Sequence, residues 1–516
     1  MGNEELDVFQ LIEEINKELK LLEIEEEKLQ PEYEGKVVSF ADGIAIVEGC
    51  EKGRVGQMVF LPTSSIRSTE EDPNNPYVFG QIMDIDRKVI KCIIFGEERF
   101  VKEGDKVTIK FEEKNYEKFI FGFSKQNSYE IKFSTHQSLF TAVGDYFLGK
   151  VVDPFGRILN IEDAKEEMKF FDEGNFNIEL RPIEQLAPPI VKRAPVVKQL
   201  LTGVKIIDAI MPIGLGQRML ILGDRGTGKT SLALTFFYSQ KDIKNRVFIY
   251  VAIGKKISEI KNIYYLLKNK FGCLDKSIIV VSKANDPAPL VYITPFAATT
   301  MAEYFRDKGK DVIIVYDDLT THANSYRHLS LLLKRPPGRE AYPGDIFYLH
   351  SRLLERASNI YLDEPAPNQM TLPSQRRTAS ITAIPILQTK DSDFSAYIPT
   401  NIISITDGQI YLDPELCNSN FWPAINIGLS VSRIGSAVQS NELKKVSRNL
   451  KSDLATFREK EKFIKYGIQL NESEIKFIEY GKKLLEFLKQ SEFEICPEQE
   501  LIEGLKKLQK YEPKTN

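Results

Sequence analysis

The sequence predicts an α/β protein in three folded pieces: an N-terminal β-barrel, a central phosphate-loop nucleotide-binding domain and a C-terminal α-helical bundle. Three observations predict it. Short strand-like runs broken by Gly, Asn and Pro turns fill residues 35–94, the spacing of a small barrel. Continuous Val/Ile runs then alternate with helical segments, which a parallel sheet covered on both faces requires. After about residue 439 the chain reads as purely helical and charged.

Taken in order, residues 4–30 predict one amphipathic helix. Val8, Leu11, Ile12, Ile15, Leu19, Leu22 and Leu29 fall at three- and four-residue steps, and Pro31 ends it. A helix without a core of its own suits docking onto a partner or neighbouring domain; a solvated acidic tail is the other reading. Val37-Val38, Ile44–Val47, Met58–Leu61 and Val89–Ile94 are the expected barrel strands. Residues 110–142, rich in Phe, Lys and Glu, read as extra strands or an insertion. Met219–Leu222 precedes a glycine loop and a helix from Thr230 to Gln240; Val247–Val251, Ile278–Val281 and Val312–Tyr316 repeat the strand theme. The expected boundaries are a leading helix over 1–33, the barrel over 34–133 with an insertion near 110–135, the nucleotide-binding domain over 134–438 and the helical domain over 439–516.

Composition excludes several classes. The 516 residues carry 69 Lys and Arg against 73 Asp and Glu, a formal net charge of −4, which argues against a dedicated nucleic-acid binder. No apolar run approaches the ~18 residues of a membrane span. Met1-Gly2-Asn3-Glu4-Glu5 is acidic where a signal peptide would be basic, and Leu6 breaks the myristoylation pattern. The five cysteines are scattered without metal-ligand spacing and the four histidines do not cluster, so reduced thiols are expected and a zinc enzyme is not.

The chemistry-bearing motif is Gly223-Asp224-Arg225-Gly226-Thr227-Gly228-Lys229-Thr230, which fits G-x-x-x-x-G-K-[ST] throughout. Backbone amides released by the glycines curl around the β-phosphate. Lys229 reaches the β- and γ-phosphates, and the Thr230 hydroxyl binds Mg²⁺. The metal needs a second, acidic group at the end of a hydrophobic strand, held through water. Val312–Tyr316 leads into Asp317 and Asp318; Asp317 is the better candidate, and whichever aspartate does not face the metal is free to cap the following helix.

Long stretches then resemble the alpha subunit of the rotary F-type ATP synthase: IDAIMPIGLGQRMLILGDRGTGKT (207–230), MAEYFRDKGKDVIIVYDDL (301–319), LLKRPPGREAYPGDIFYLHSRLLERA (332–357), AYIPTNIISITDGQIYL (396–412) and PAINIGLSVSRIGSA (423–437). The vacuolar-type non-catalytic subunit is a poorer match because it lacks this phosphate loop. The resemblance implies a β-barrel, a RecA-like domain and a helical bundle, assembled as a hexamer alternating with catalytic beta-type subunits around a central gamma-type stalk. A delta-type peripheral-stalk subunit would meet the leading helix. Membrane contact would come only through the complex, on the cytoplasmic face, and no nucleic acid is implied.

The resemblance further implies a subunit that binds ATP or ADP with Mg²⁺ and does not turn it over. Catalytic subunits carry glutamate after the glycine of the strand following the loop, and alpha subunits carry glutamine. This chain has Lys255 after Gly254. An ammonium cannot take a proton from water as a carboxylate does, though it can pair with a γ-phosphate; Glu259, one turn on, is the nearest carboxylate alternative. Arg433 matches the arginine that crosses to the neighbouring catalytic site, an arginine salt-bridged within its own domain being the other reading. Ser432 beside it is expected to help position that interface. Trp422, before Pro423, stands where arginine lies beside adenine in the family, and an indole can stack on the base. Gln490 matches a glutamine that contacts adenine, whereas Glu492 replaces a second one. Gly226 replaces a glutamine, and residues 362–382 form a longer, Pro-rich loop with Arg376 and Arg377.

Two outputs stay open: ion-coupled ATP synthesis or hydrolysis, and an F-like paralogous ring powering other machinery, such as motility in wall-less bacteria. A nucleic-acid translocase ring would need a catalytic glutamate and basic contacts in the barrel, and a self-sufficient homo-oligomeric ATPase fails on Lys255.

Overall fold

The computed structural model describes residues 34–50, 53–62, 77–86, 88–95, 101–109, 139–159, 161, 168–169, 178–362, 376–465 and 472–509. The expected leading helix and the insertion at 110–135 lie outside them. The chain divides into two compact units, residues 1–113 and 114–516.

In the first unit, strands β1 (Glu34–Ala41), β2 (Ile44–Glu48), β3 (Met58–Pro62), β4 (Tyr77–Ile85), β5 (Val89–Phe95) and β6 (Lys106–Thr108) close into a barrel in the order β1-β2-β5-β4-β3-β6. Ala45 and Val47, Val59 and Leu61, and Ile90, Cys92 and Ile94 join one apolar cluster. Each set is spaced by two residues and so lines one face of its strand. Sequence patterning finds four of the six strands. It misses β4, whose Gly80-Gln81 interrupts the apolar run, and β6, which has only three residues.

The second unit is built on a parallel sheet. Its central strands are β7 (Leu220–Gly223), β8 (Arg246–Lys255), β9 (Ser277–Lys283), β10 (Asp311–Asp317), β11 (Thr378–Gln388) and β12 (Gly408–Leu412), in the order β9-β8-β10-β11-β7-β12. Between them run α1 (Lys229–Gln240), α2 (Ile257–Tyr265), α3 (Ala288–Asp307), α4 (Leu319–Leu332), α5 (Ile346–Leu354) and α6 (Tyr397–Ile405). Val431–Ser432 adds antiparallel to β12. The order puts β7, β10 and β8 near one another with their C-terminal ends on one side, where ligands of open α/β sheets bind.

One expectation needs correction. The loop read over 362–382 does not run that far, because Thr378 already begins β11. Pro385 hides this strand in the sequence, since proline argues against a central strand; here it pairs opposite Tyr316 of β10. Residues 363–375 of that loop lie outside the described residues.

The C-terminal helices are α7 (Asn441–Ser447), α8 (Leu450–Lys465), α9 (Glu472–Leu488) and α10 (Glu498–Gln509). Leu443, Leu454, Leu484 and Leu501 belong to the same apolar cluster as Ile221, Leu232 and Phe248. The bundle therefore continues the core of the nucleotide-binding domain. A Cβ on Gly481 of α9 would stand 2.2 Å from Cδ2 of the buried Phe457 on α8. Gly481→Ala is expected to destabilise this unit by about 1–3 kcal/mol in denaturant unfolding, although alanine is the better helix former by about 1 kcal/mol. Adding Phe457→Leu should recover part of the loss; equal or greater stability of the single variant would contradict this packing.

All five cysteines are thiols rather than disulfides, and four of them are buried. Among the described residues, no helix is long and apolar enough to cross a membrane.

Candidate nucleotide site

The phosphate loop leaves β7 at Gly223 and enters α1 at Lys229. Gly226 and Gly228 have φ of 81° and 88°, a left-handed backbone that costs glycine nothing. Gly228 precedes α1 with no side-chain cap, so the first-turn amides and the positive end of the helix dipole are free for an anion. The loop is braced from beneath. Thr227 Oγ1 and Lys229 Nζ both donate to the Asp224 carbonyl, at 2.8 and 2.5 Å. The Asp224 carboxylate accepts from Thr389 Oγ1 at 2.5 Å and from the Ser392 amide at 3.0 Å. The Thr389 amide in turn donates to the Gly223 carbonyl at 3.1 Å. Arg225 stays exposed. Asp224 thus holds the loop's shape, which its place in a motif of variable positions does not announce.

At the end of β10, the two aspartates separate their work. Asp318 caps α4, accepting from the Thr321 amide at 2.7 Å. Asp317, 2% exposed, faces the phosphate loop: its Oδ2 accepts from Thr230 Oγ1 and from the Tyr250 hydroxyl, both at 2.7 Å. Its Oδ1 pairs with Lys255 Nζ at 2.7 Å, and Lys255 also lies 3.6 Å from Asp318. Thr230 and Asp317 are a hydroxyl and a carboxylate side by side at the mouth of the loop, and they fit as the residues that would hold a magnesium ion.

Lys255 reaches this position because β8 is irregular between Ile253 and Lys255. Gly254 there has φ of 62°, and such a bulge re-aims the next side chain. Burial works against the Lys255 ammonium, but Asp317 and Asp318 outweigh it and raise its pKa. For Lys229 the balance is opposite: burial lowers its pKa, against the pull of Asp317 and Asp318. Burial and then Asp317 push the Tyr250 phenol well above its ordinary value, so it stays a neutral donor. Tyr250 was not legible as a site residue, because inside Val247–Val251 it reads as core. Glu259 is exposed on the first turn of α2.

Trp422 comes to the loop from the other side: its Nε1 lies 3.5 Å from where a Cβ on Gly228 would stand. The Trp422-Pro423 bond is cis. The Gln490 amide donates to the Trp422 carbonyl at 2.9 Å. The Gln490 side chain is buried and spent within the chain, accepting from the Lys205 amide at 2.8 Å and donating to the Gly203 and Glu494 carbonyls. It therefore supports the segment carrying Trp422, and the expected contact with adenine would require those bonds to be exchanged.

Arg433 and Ser432 lie elsewhere. Leu412 of β12 pairs with Gly223, whereas Gly408 at the opposite end pairs with Ser432. Four residues of strand put them about 13 Å further along the sheet. Arg433 is exposed, and its guanidinium donates to the Ile403 carbonyl at 3.0 Å at the end of α6. Among the described residues it forms no ion pair, unlike the salt-bridged alternative. Ser432 Oγ donates to the Pro212 carbonyl at 2.8 Å. The Arg433 amide donates to the Asp407 carbonyl at 2.8 Å. The Asp407 carboxylate is gripped by Arg218 through Nε at 3.0 Å and Nη2 at 2.8 Å, and Arg218 also pairs with Glu355. No local signal in the sequence marks this brace.

Comparison with known proteins follows the same lines. Residues 203–432 match the ATP synthase alpha/beta family, nucleotide-binding domain, and residues 439–510 match the ATP synthase alpha/beta chain, C terminal domain. ATP synthase subunit alpha of Anaplasma marginale is 41% identical over 468 residues, 89% of this chain and 80% of the relative. The corresponding subunits of Ehrlichia ruminantium and Buchnera aphidicola are 41% and 40% identical, with the same coverage. A barrel, a phosphate-loop domain and a helical end in this order, at such identity along nine-tenths of the length, mean that the chain belongs to the ATP synthase alpha/beta family, among its alpha subunits.

Proposed function

We propose that this chain is the non-catalytic, ATP- and ADP-binding alpha-type subunit of an F-type rotary ATPase, and that it lends Arg433 to the catalytic site of a neighbouring beta-type subunit. The observation that carries the proposal is Lys255. It stands after Gly254, where hydrolysis would need a carboxylate to orient and polarise water, and it is paired with Asp317. The phosphates would rest on residues 223–230, with Lys229 as their cation and Thr230 and Asp317 as the residues that would hold magnesium. Trp422, partly exposed beside the loop, offers an apolar surface for the base, and the buried Pro423 follows it in the chain. The magnesium ion, when bound, would neutralise phosphate charge.

The exposure of Arg433 and its distance from the chain's own loop support a role in trans. The relatives are ATP synthase alpha subunits, which favours ion-coupled ATP synthesis and hydrolysis over a ring powering other machinery. In that assembly the partners are beta-type subunits in an alternating hexamer, a gamma-type central stalk and a delta-type peripheral-stalk subunit at residues 1–33. The ring is peripheral to the membrane.

The test is steady-state ATP hydrolysis by the purified chain alone and after reconstitution with its beta-type partner. No turnover alone and turnover on mixing is the expected result. Robust turnover by the chain alone would overturn the reading and direct attention to Glu259.

A further inference from the structure

The carboxylates nearest the Thr230–Asp317 pair are already met by ammoniums. Two carboxylates, Asp317 and Asp318, face two ammoniums, Lys229 and Lys255, of which Lys255 touches both aspartates and both bear on Lys229. Three acceptor directions of Asp317 are in use: Oδ1 by Lys255, Oδ2 by Thr230 and Tyr250. A carboxylate that serves a divalent ion must offer its charge to that ion or to the ion's water. Here the charge is already answered by an ammonium whose side chain is only 19% exposed and which is aimed by the irregularity at Gly254. A dication ligated by the Thr230 hydroxyl oxygen, which can bind a metal while it donates to Asp317, would sit beside a fixed positive charge, in a setting where water screens poorly.

The geometry points to Lys255 as a built-in cation of the nucleotide site: it neutralises charge at Asp317 and beside the terminal phosphate, so that nucleotide binding depends little on magnesium. The inference rests on the nucleotide-binding reading above and adds a specificity to it: this site takes metal-free ATP nearly as well as the magnesium complex. Two neighbouring residues share the work. Tyr250 holds Asp317 in place as a neutral donor, and Lys229 remains the phosphate cation proper, tethered at rest to the Asp224 carbonyl.

The test is equilibrium dialysis of the full-length chain with ATP, once in excess EDTA and once in excess magnesium, for wild type, Lys255→Gln and Lys255→Arg. Wild type should bind ATP in both, with dissociation constants within about threefold of each other. Lys255→Gln should lose affinity in EDTA and recover it with magnesium, a gain of at least about tenfold. Lys255→Arg, which keeps the charge, should behave like wild type; its retention also guards against a general defect in folding, which circular dichroism of all three proteins would show. An equally large magnesium effect in wild type and Lys255→Gln would overturn the inference and leave the nucleotide site standing. No ATP binding by any of the three proteins under either condition would overturn the nucleotide reading itself.

Discussion

Replacing Arg433 with alanine is expected to slow ATP hydrolysis by the ring reconstituted with beta-type subunits by roughly 10³- to 10⁵-fold, the scale of a transition-state arginine supplied in trans. That range corresponds to about 4–7 kcal/mol of barrier. The physical basis is that the guanidinium is exposed and uses only backbone carbonyls at the end of α6 within the described residues, so its charge is not consumed by a carboxylate of its own domain. The Arg218–Asp407 pair and Ser432 fix the backbone on which it stands. ATP binding to the chain's own loop should be unchanged, since Arg433 lies at the other end of β12 from Gly223. Arg433→Lys should restore little, because a lysine keeps the charge but loses the planar fork. A loss of less than about tenfold in the alanine variant would mean that Arg433 only caps α6.

The second large effect concerns stability. Arg356 is 1% exposed and makes a two-pronged pair with the equally buried Glu303, at 3.1 Å and 2.7 Å. It also donates to Thr300 Oγ1 at 2.7 Å and to the Ile183 carbonyl at 2.9 Å. Three segments meet on this one side chain: α3, the turn after α5, and the chain approaching the sheet at Ile183. Arg356→Ala leaves the buried Glu303 carboxylate with only Arg306 Nη1, at 3.9 Å, and breaking such a pair costs about 3–5 kcal/mol. Denaturant unfolding of the full chain should show the loss in the transition of the second unit. Arg356→Met combined with Glu303→Leu should recover much of it, because the uncompensated charge is gone. A change below about 1 kcal/mol for Arg356→Ala would show that Glu303 finds water or another partner.

Much of this architecture is legible in the sequence. The Val/Ile runs of β8, β9 and β10 announce buried parallel strands because both faces of such strands meet helices. The residues of the phosphate loop announce themselves because chemistry demands those types in that order. Where the reading faltered, the local signal was ambiguous. Gly80-Gln81 disguised β4, and Pro385 disguised β11, which begins at Thr378 inside the expected loop.

The order of residues alone determined the fold class, the anion-binding loop and the absence of a carboxylate after Gly254. These rest on periodicity and on residue chemistry, both local properties of the chain. Only the tertiary structure decided the rest. It turned Lys255 onto Asp317, assigned Asp318 to a helix cap, tied up the Gln490 amide and set Arg433 at the far end of the sheet from the loop. Except for the Asp318 cap, which reaches only to Thr321, each of these depends on segments tens to hundreds of residues apart. Such contacts follow from strand order and side-chain direction, which no stretch of sequence carries by itself.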